Sequence, residues 1–345
     1  MTKRAACLAL ACVTLLLACS GCAGNGTLCF THTFFAMDTF MEVKIWGKDA
    51  DKAKEVSDEC EKKALELENL FSVTIAASEV SLLNREGSAK VSEDTMAVLK
   101  TANEITQQTD GAFDITVGAV AELWNFRSDT PHVPDTEQVQ SLLPLVDGTK
   151  VQLKGNKVTL EPGAAIDLGG IAKGYLGDIL KQLLAEKGIE SAVLSLGGNI
   201  VLCGQKPDSS GAGWSVAIRS PYDSEQYLCT LSLEGGTNVI TSGGYERCFE
   251  FDGVTYHHII DPATGFPAQS DLASVTVIGE DGAQCDALST ALFVMGKEKA
   301  LEFLQGHEEL RFVLADTQGG ITAHASLEGE LEGAQNVVYV KSNGK

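Results

Sequence analysis

Short apolar runs in this sequence come in pairs, and turn-forming residues join them. Val151–Leu153 and Lys157–Leu160 flank Gly155-Asn156, while Phe249 to Ile260 folds across Asp252-Gly253. Such dipeptides accept the positive φ that a tight hairpin turn needs. Thr31 to Ile45 reads as a strand-pair region, with Met41, Val43 and Ile45 alternating on one face. Further strands are expected at Ser191–Leu196, Trp214–Arg219, Tyr227–Leu233, Ala273–Ile278, Arg311–Ala315 and Gly320–Ala325. Helical periodicity separates these pairs without regular alternation. Asp49–Leu70 carries Ala53, Val56, Cys60, Leu67 and Leu70 near one face. Ser92 can N-cap a helix to about Gln108, and Thr136–Leu143 is stopped by Pro144. A helix from about Ile171 to Lys187 ends at Gly188, and Gln284–Met295 closes at Gly296 ahead of Lys297–Gln305. Hairpins interrupted by helices predict an α+β fold, with a mixed or mostly antiparallel sheet and packed helices, rather than a doubly wound parallel sheet.

The first residues do not belong to that fold. Lys3 and Arg4 precede a short apolar run, Ala5 to Ala18, which is too short for a comfortable transmembrane helix and reads as a secretory signal. The run ends in Leu16-Leu17-Ala18-Cys19-Ser20-Gly21-Cys22, which resembles a bacterial lipobox. Cys19 fits the lipidated position and Cys22 competes with it; an ordinary cleaved signal is the plainer alternative. The expected organisation is a lipoprotein signal over 1–18, a lipidated tether over 19–29 and one domain over 30–345. The body is then expected to be lipid-anchored to the cell membrane, on its extracytoplasmic face. The remaining cysteines, Cys29, Cys60, Cys203, Cys229, Cys248 and Cys285, lack C-x-x-C spacing. That gives no zinc or redox signature and leaves disulfides and buried thiols both open.

Charge restricts the partners. Lys and Arg number 26 against 47 Asp and Glu, a net charge of −21. An acidic surface repels phosphate backbones and excludes nucleic acid as a partner. It leaves room for a small anionic ligand met by local donors and a cation.

Five segments carry possible chemistry. Asp167-Leu168-Gly169-Gly170-Ile171-Ala172-Lys173-Gly174 places glycines before a helix start, with a lysine in its first turn. Helix N-termini attract anions, although Gly-rich turns are often only turns. Asp286 and Thr290 stand four apart on a helix and so share a face. A carboxylate and a hydroxyl suit a hard cation such as Mg²⁺, and a helix-surface Asp beside a back-bonded Thr is the bland reading. His257-His258 leads into Asp261-Pro262-Ala263-Thr264-Gly265. Alternation turns the two imidazoles to opposite faces, so at most one serves a given cleft as a base. Phe113 and Trp124 could wall a flat ring, with core packing the alternative for Trp124. Thr241-Ser242-Gly243-Gly244-Tyr245-Glu246-Arg247 reads as a polar loop able to meet phosphate, or as a tight turn into the next strand.

Taken in order, Ala36–Thr39, Gly111–Asp114, Asp167–Gly174, Leu196–Asn199, Thr241–Arg247, His258–Pro267 and Asp286–Thr290 resemble the ApbE family, the FAD:protein FMN transferases. The likeness spans roughly residues 30–325. It implies an ApbE-like α+β fold, FAD as flavin donor and Mg²⁺. It also implies transfer of FMN to a threonine or serine hydroxyl of a partner protein, with AMP released. The resemblance places flavin-nucleotide contacts on Met37, Ala112, Phe113, Asp114, Asp167, Lys173, Ile259 and Ile260. It places metal ligands at Asp286, Thr290 and a carbonyl near Gly170, and the base at His258. Two departures stand out: the family often has Met-Gly-Thr where this chain has Met37-Asp38-Thr39. Ser72-Val73-Thr74 also lacks the aromatic often found at the early flavin-stacking position. The same site with water as acceptor would make an FAD pyrophosphatase, and without turnover a flavin-binding lipoprotein.

Overall fold

The computed structural model describes residues 27–207 and 213–341. The expected signal and most of the expected tether lie outside the described residues. The first strand, Leu28–Ala36, already includes Leu28 and Cys29, so the folded body begins two residues before the expected domain start.

Among the described residues the core is a nine-stranded sheet: Leu28–Ala36, Thr39–Gly47, Ser191–Leu196, Asn199–Gly204, Asn238–Gly243, Leu272–Gly279, Arg311–Asp316, Ile321–His324 and Val337–Val340. Spatial order equals chain order. Neighbouring strands are antiparallel until the last pair, where Ile321–His324 and Val337–Val340 run parallel. The expected mixed, mostly antiparallel sheet is what forms.

Alternation assigns each face. Met41, Val43 and Ile45 are buried against the helices, with Ala53, Val56, Cys60, Ala64 and Leu67 of the Ala50–Phe71 helix in the same core. That helix is N-capped by Asp49, whose side chain accepts from the Lys52 N–H. The opposite face packs on the hairpin Trp214–Arg219/Tyr227–Leu233, and Trp46 meets Trp214 with ring centroids 5.2 Å apart. A third cluster gathers Val120, Trp124, Val139 and Ile260.

Two helices place the site. Ala172–Glu186 and Gly282–Leu304 touch at their N-terminal turns, where a Cβ on Gly174 would collide with the Gly282 carbonyl. Each supplies the other's cap. Asp286 of the second helix accepts from the Gly174 N–H at 2.8 Å. Asp178 of the first accepts from the Gly282 and Ala283 N–H groups at 2.8 and 3.0 Å. Each helix start thus sets a carboxylate of the other helix against its first turn, the charge sign that the helix dipole favours there. Gly188 (φ 65°) ends the first helix in the left-handed region, as expected. Gly296 (φ 75°, ψ 172°) breaks the second, and Asp271 caps the restart by accepting from the Lys297 N–H.

Several elements differ from expectation. Asn238–Gly243 is a central strand, so the expected polar loop over Thr241–Arg247 is half strand and half turn. Asn199–Gly204 is likewise a strand, and Glu79–Glu86 an additional helix capped by Ser78. The hairpin across Asp252-Gly253 stops at His257; Ile260 instead bridges to Pro267. No disulfide joins the six described cysteines.

Candidate active site

A cleft opens beside the paired helix starts. Two chambers, with cavity volumes of about 1010 and 700 Å³, meet along Asp167, Lys173, Thr241, Glu246, Arg247 and His258. Single drug-sized ligands occupy about 300–1,000 Å³, so the joined chambers suit an extended, two-part molecule. The first chamber runs over the sheet face beneath Val216, Ile218 and Tyr227. The second descends past Phe113, Ile259 and Ile260 to Asp286 and Thr290.

The floor of the second chamber is an oxygen-rich corner. Asp286 is buried at 4% exposure, and only one of its carboxylate oxygens is taken by the Gly174 N–H. Thr290 presents Oγ1 one turn further on, 3.3 Å from Ser242 Oγ. Gly170 lies directly against it, since a Cβ there would come 3.5 Å from Thr290 Oγ1 and 3.1 Å from the Phe113 ring. A side chain at 170 would therefore narrow the corner. Among the described residues no group of three or more His, Cys, Asp or Glu side chains is arranged to hold a metal. The carboxylate of Asp286 and the hydroxyl of Thr290 are oxygen donors, which fit a hard cation that keeps positions for its substrate.

Above this corner three cations stand among the carboxylates of Asp167 and Glu246. Lys173 lines both chambers from the first turn of its helix, and Arg127 and Arg247 join it. His258 faces the same space. Its backbone N–H donates to the Arg247 carbonyl at 3.0 Å, and its ring Nδ1 lies 3.3 Å from the same oxygen. Burial, then the Lys173 and Arg247 cations, brings the His258 pKa down to about 4. The imidazole is thus neutral at physiological pH and able to accept a proton. His257 turns the other way, packs edge-on against Phe293 and brings Nε2 to 3.1 Å from the Ala268 carbonyl. The expected split between the two histidines holds.

Of the expected flavin-nucleotide contacts, Met37, Phe113, Asp114, Asp167, Lys173, Ile259 and Ile260 all line the cleft. Ala112 does not; it packs half-buried against the main core. Asp114 is committed to the loop: its oxygens accept from the Thr116 N–H and hydroxyl and from the Gly148 N–H, all within 2.7 Å. Asp167 accepts from the Gly169 N–H and from Arg127 Nη2, both at 2.8 Å. Met37 and Asp38 form the two-residue turn between the first two strands, with φ of 49° and 64°. A glycine would adopt this turn freely; Asp is among the residues that tolerate it. Arg247 anchors the turn by donating to the Asp38 carbonyl at 3.1 Å, its guanidinium 3.7 Å from the Asp38 carboxylate. Trp124 is wholly buried and donates to the Gly265 carbonyl at 2.9 Å, so the aromatic wall reduces to Phe113.

Arg127 and Glu246 are cleft residues to which sequence reading gave no role. Arg127 follows a buried aromatic turn, and only the fold brings it to Asp167, forty positions on. Glu246 lies beside the Gly197-Gly198 turn, with Oε1 3.4 Å from where a Gly198 Cβ would stand.

Comparison with known proteins bears on the chain as a whole. Residues 37–314 match the model of the ApbE family. A FAD:protein FMN transferase of Treponema pallidum is 34% identical over 312 residues, covering 85% of this chain and 86% of that protein. The crystal structure of an ApbE protein from Thermotoga maritima superposes with a TM-score of 0.81 at 31% identity, covering 88% of this chain and all of that one. A flavin transferase ApbE from Vibrio cholerae superposes at 0.75 with 27% identity, covering 90% of this chain and 98% of that one.

Proposed function

Because the chain belongs to the ApbE family, we propose that it moves FMN from FAD to a serine or threonine hydroxyl of an acceptor protein, releasing AMP. One observation carries the reading. Gly170, Lys173, His258, Asp286 and Thr290, drawn from three segments spread over more than a hundred residues of chain, converge on a single cleft with room for a two-part ligand.

Breaking a pyrophosphate is phosphoryl transfer, where positioning and charge neutralisation dominate. Lys173 and the start of the Ala172–Glu186 helix supply positive potential to the phosphoryl oxygens. Asp286, Thr290 and the Gly170 carbonyl would hold Mg²⁺, whose charge offsets that developing on the AMP leaving group. Neutral His258 takes the proton from the incoming hydroxyl, and the hydroxyl oxygen then forms the phosphoester to FMN. Phe113, Ile259 and Ile260 give the approach to that corner an apolar wall.

The test is to incubate the protein with FAD and Mg²⁺, with and without an acceptor bearing an exposed Ser/Thr motif. AMP release and acceptor mass are followed together. A gain of FMN mass matched by AMP supports transfer. AMP and free FMN regardless of acceptor make the protein a pyrophosphatase, and binding without release makes it a flavin-binding lipoprotein.

We further infer from Ala18-Cys19-Ser20-Gly21-Cys22 that a lipid on Cys19, with Cys22 the competing site, anchors the protein to the extracytoplasmic face of the membrane. Cys19→Ser should then abolish fatty-acid labelling, and labelling lost only in Cys22→Ser reassigns the anchor.

A further inference from the structure

The interior leaves one polar group unanswered in the cleft. Among the described residues, five buried side-chain atoms lack a hydrogen-bond partner. Four belong to Asn103, Ser191, Asn238 and His257, which line neither chamber. The fifth is Nδ2 of Asn199, a residue 3% exposed that lines the second chamber.

Its position is fixed from several sides. Asn199 pairs with Leu196 across the Gly197-Gly198 turn, whose φ values of 61° and 101° favour glycine. Gly197 is held against Thr39, whose side chain a Cβ there would meet at 2.5 Å. Strand alternation puts Asn199 on the face of Val201, which belongs to the helix-side core and touches the space beside Gly177. The amide therefore points to the side of the sheet where Lys173, Gly170, Asp286 and Thr290 gather. A buried amide N–H without an acceptor is costly, and one beside a ligand chamber can be answered by the ligand.

We propose that Asn199 is a ligand-binding residue whose side-chain amide donates to a phosphoryl oxygen of the bound pyrophosphate. The proposal deepens the transferase reading and rests on it for the identity of the substrate. The chamber supplies the reason for an anionic acceptor: beside the carboxylate of Glu246, its groups at this end are Lys173, a helix start and the oxygen-rich corner suited to a cation. A neutral donor adds a directed hydrogen bond without a further charge beside Asp286 and Glu246.

The experiment uses the full-length protein with Asn199→Ala and Asn199→Asp. Binding of ADP and of riboflavin in Mg²⁺ is measured by calorimetry, alongside FMN transfer from FAD. Asn199→Ala should weaken ADP by about ten- to hundredfold, the worth of a hydrogen bond to a charged group, and leave riboflavin unchanged. Asn199→Asp should be worse, because it sets an acceptor and a negative charge against an anion. Unchanged ADP affinity in Asn199→Ala overturns the proposal, as does Asn199→Asp binding ADP at least as well as Asn199→Ala. Should the alanine variant not fold, Asn199→Ser provides the same comparison and should lose less than Asn199→Asp. ADP binding needs no acceptor, so a wild type that binds ADP but transfers nothing refutes the transferase reading alone.

Discussion

At the scale of residues, one carboxylate carries two duties. Asp286 caps a neighbouring helix with one oxygen and offers the other to the cleft. Asp286→Asn keeps the shape and one acceptor, so it should fold with stability within about 1 kcal/mol of the parent while losing Mg²⁺-dependent turnover. Denaturant titration beside AMP release measures both. His258→Ala removes a base and should cost roughly 10²–10⁴-fold in rate. Asp286→Ala should cost more; equal losses would count against the assignment of charge neutralisation to Asp286. The pH dependence follows from the burial that brings His258 down to about 4. The base is competent above that value, so the transfer rate should hold from neutrality down to about pH 5 and fall only near pH 4. A rate falling by half near pH 6.5 would show an imidazole that the cleft does not perturb. The same shift acts on stability. Between an unfolded value of about 6.5 and about 4, the unfolded chain binds a proton there that the folded chain refuses. Stability at this position therefore declines as pH falls through that window and is unaffected above it.

At the scale of elements, the contact between the two helix starts is the sensitive joint. Gly174→Ala would drive a methyl into the Gly282 backbone. Overpacking of this kind costs roughly 1–3 kcal/mol, and the displaced helix carries Asp286 with it. Chemical denaturation should show the loss, with turnover falling further than stability alone explains. What the sequence made legible follows from the same elements. The Ala50–Phe71 helix shows a full apolar stripe and an Asp cap, and it forms within a residue of expectation. The hairpins at Gly155 and Asp252-Gly253 were legible from their turn residues. The strand Asn238–Gly243 was not, because its polar end imitates a loop. Its hydroxyls are satisfied only in three dimensions, Thr241 by Thr276 and Ser242 by Ser289, both at 2.8 Å. The site divides in the same way. Gly170, Lys173, His258, Asp286 and Thr290 sit in local patterns with a chemical meaning. Arg127, Glu246 and the bonding deficit of Asn199 depend on distant chain segments.

At the scale of the whole molecule, charge and topology matter most. A net charge of −21 sets the surface against anionic lipid. With Cys19 and Cys22 both replaced by serine, the protein should show no binding to vesicles rich in anionic lipid, even at low salt, in a sedimentation assay. Retention there would mean that a patch of the folded body itself binds anionic lipid.

The order of the main sheet bears on how such a chain matures. Each strand pairs with the sheet strand that precedes it in the chain, and none is inserted later between two that are already joined. A polypeptide emerging amino-terminus first can therefore lay down its sheet vectorially, edge by edge, without reopening what it has built. Cleft residues arrive over a long interval, from Met37 to Thr290. Six of the nine sheet strands precede Asp286 and Thr290 in the chain, so most of the scaffold can be laid down before the oxygen-rich corner exists.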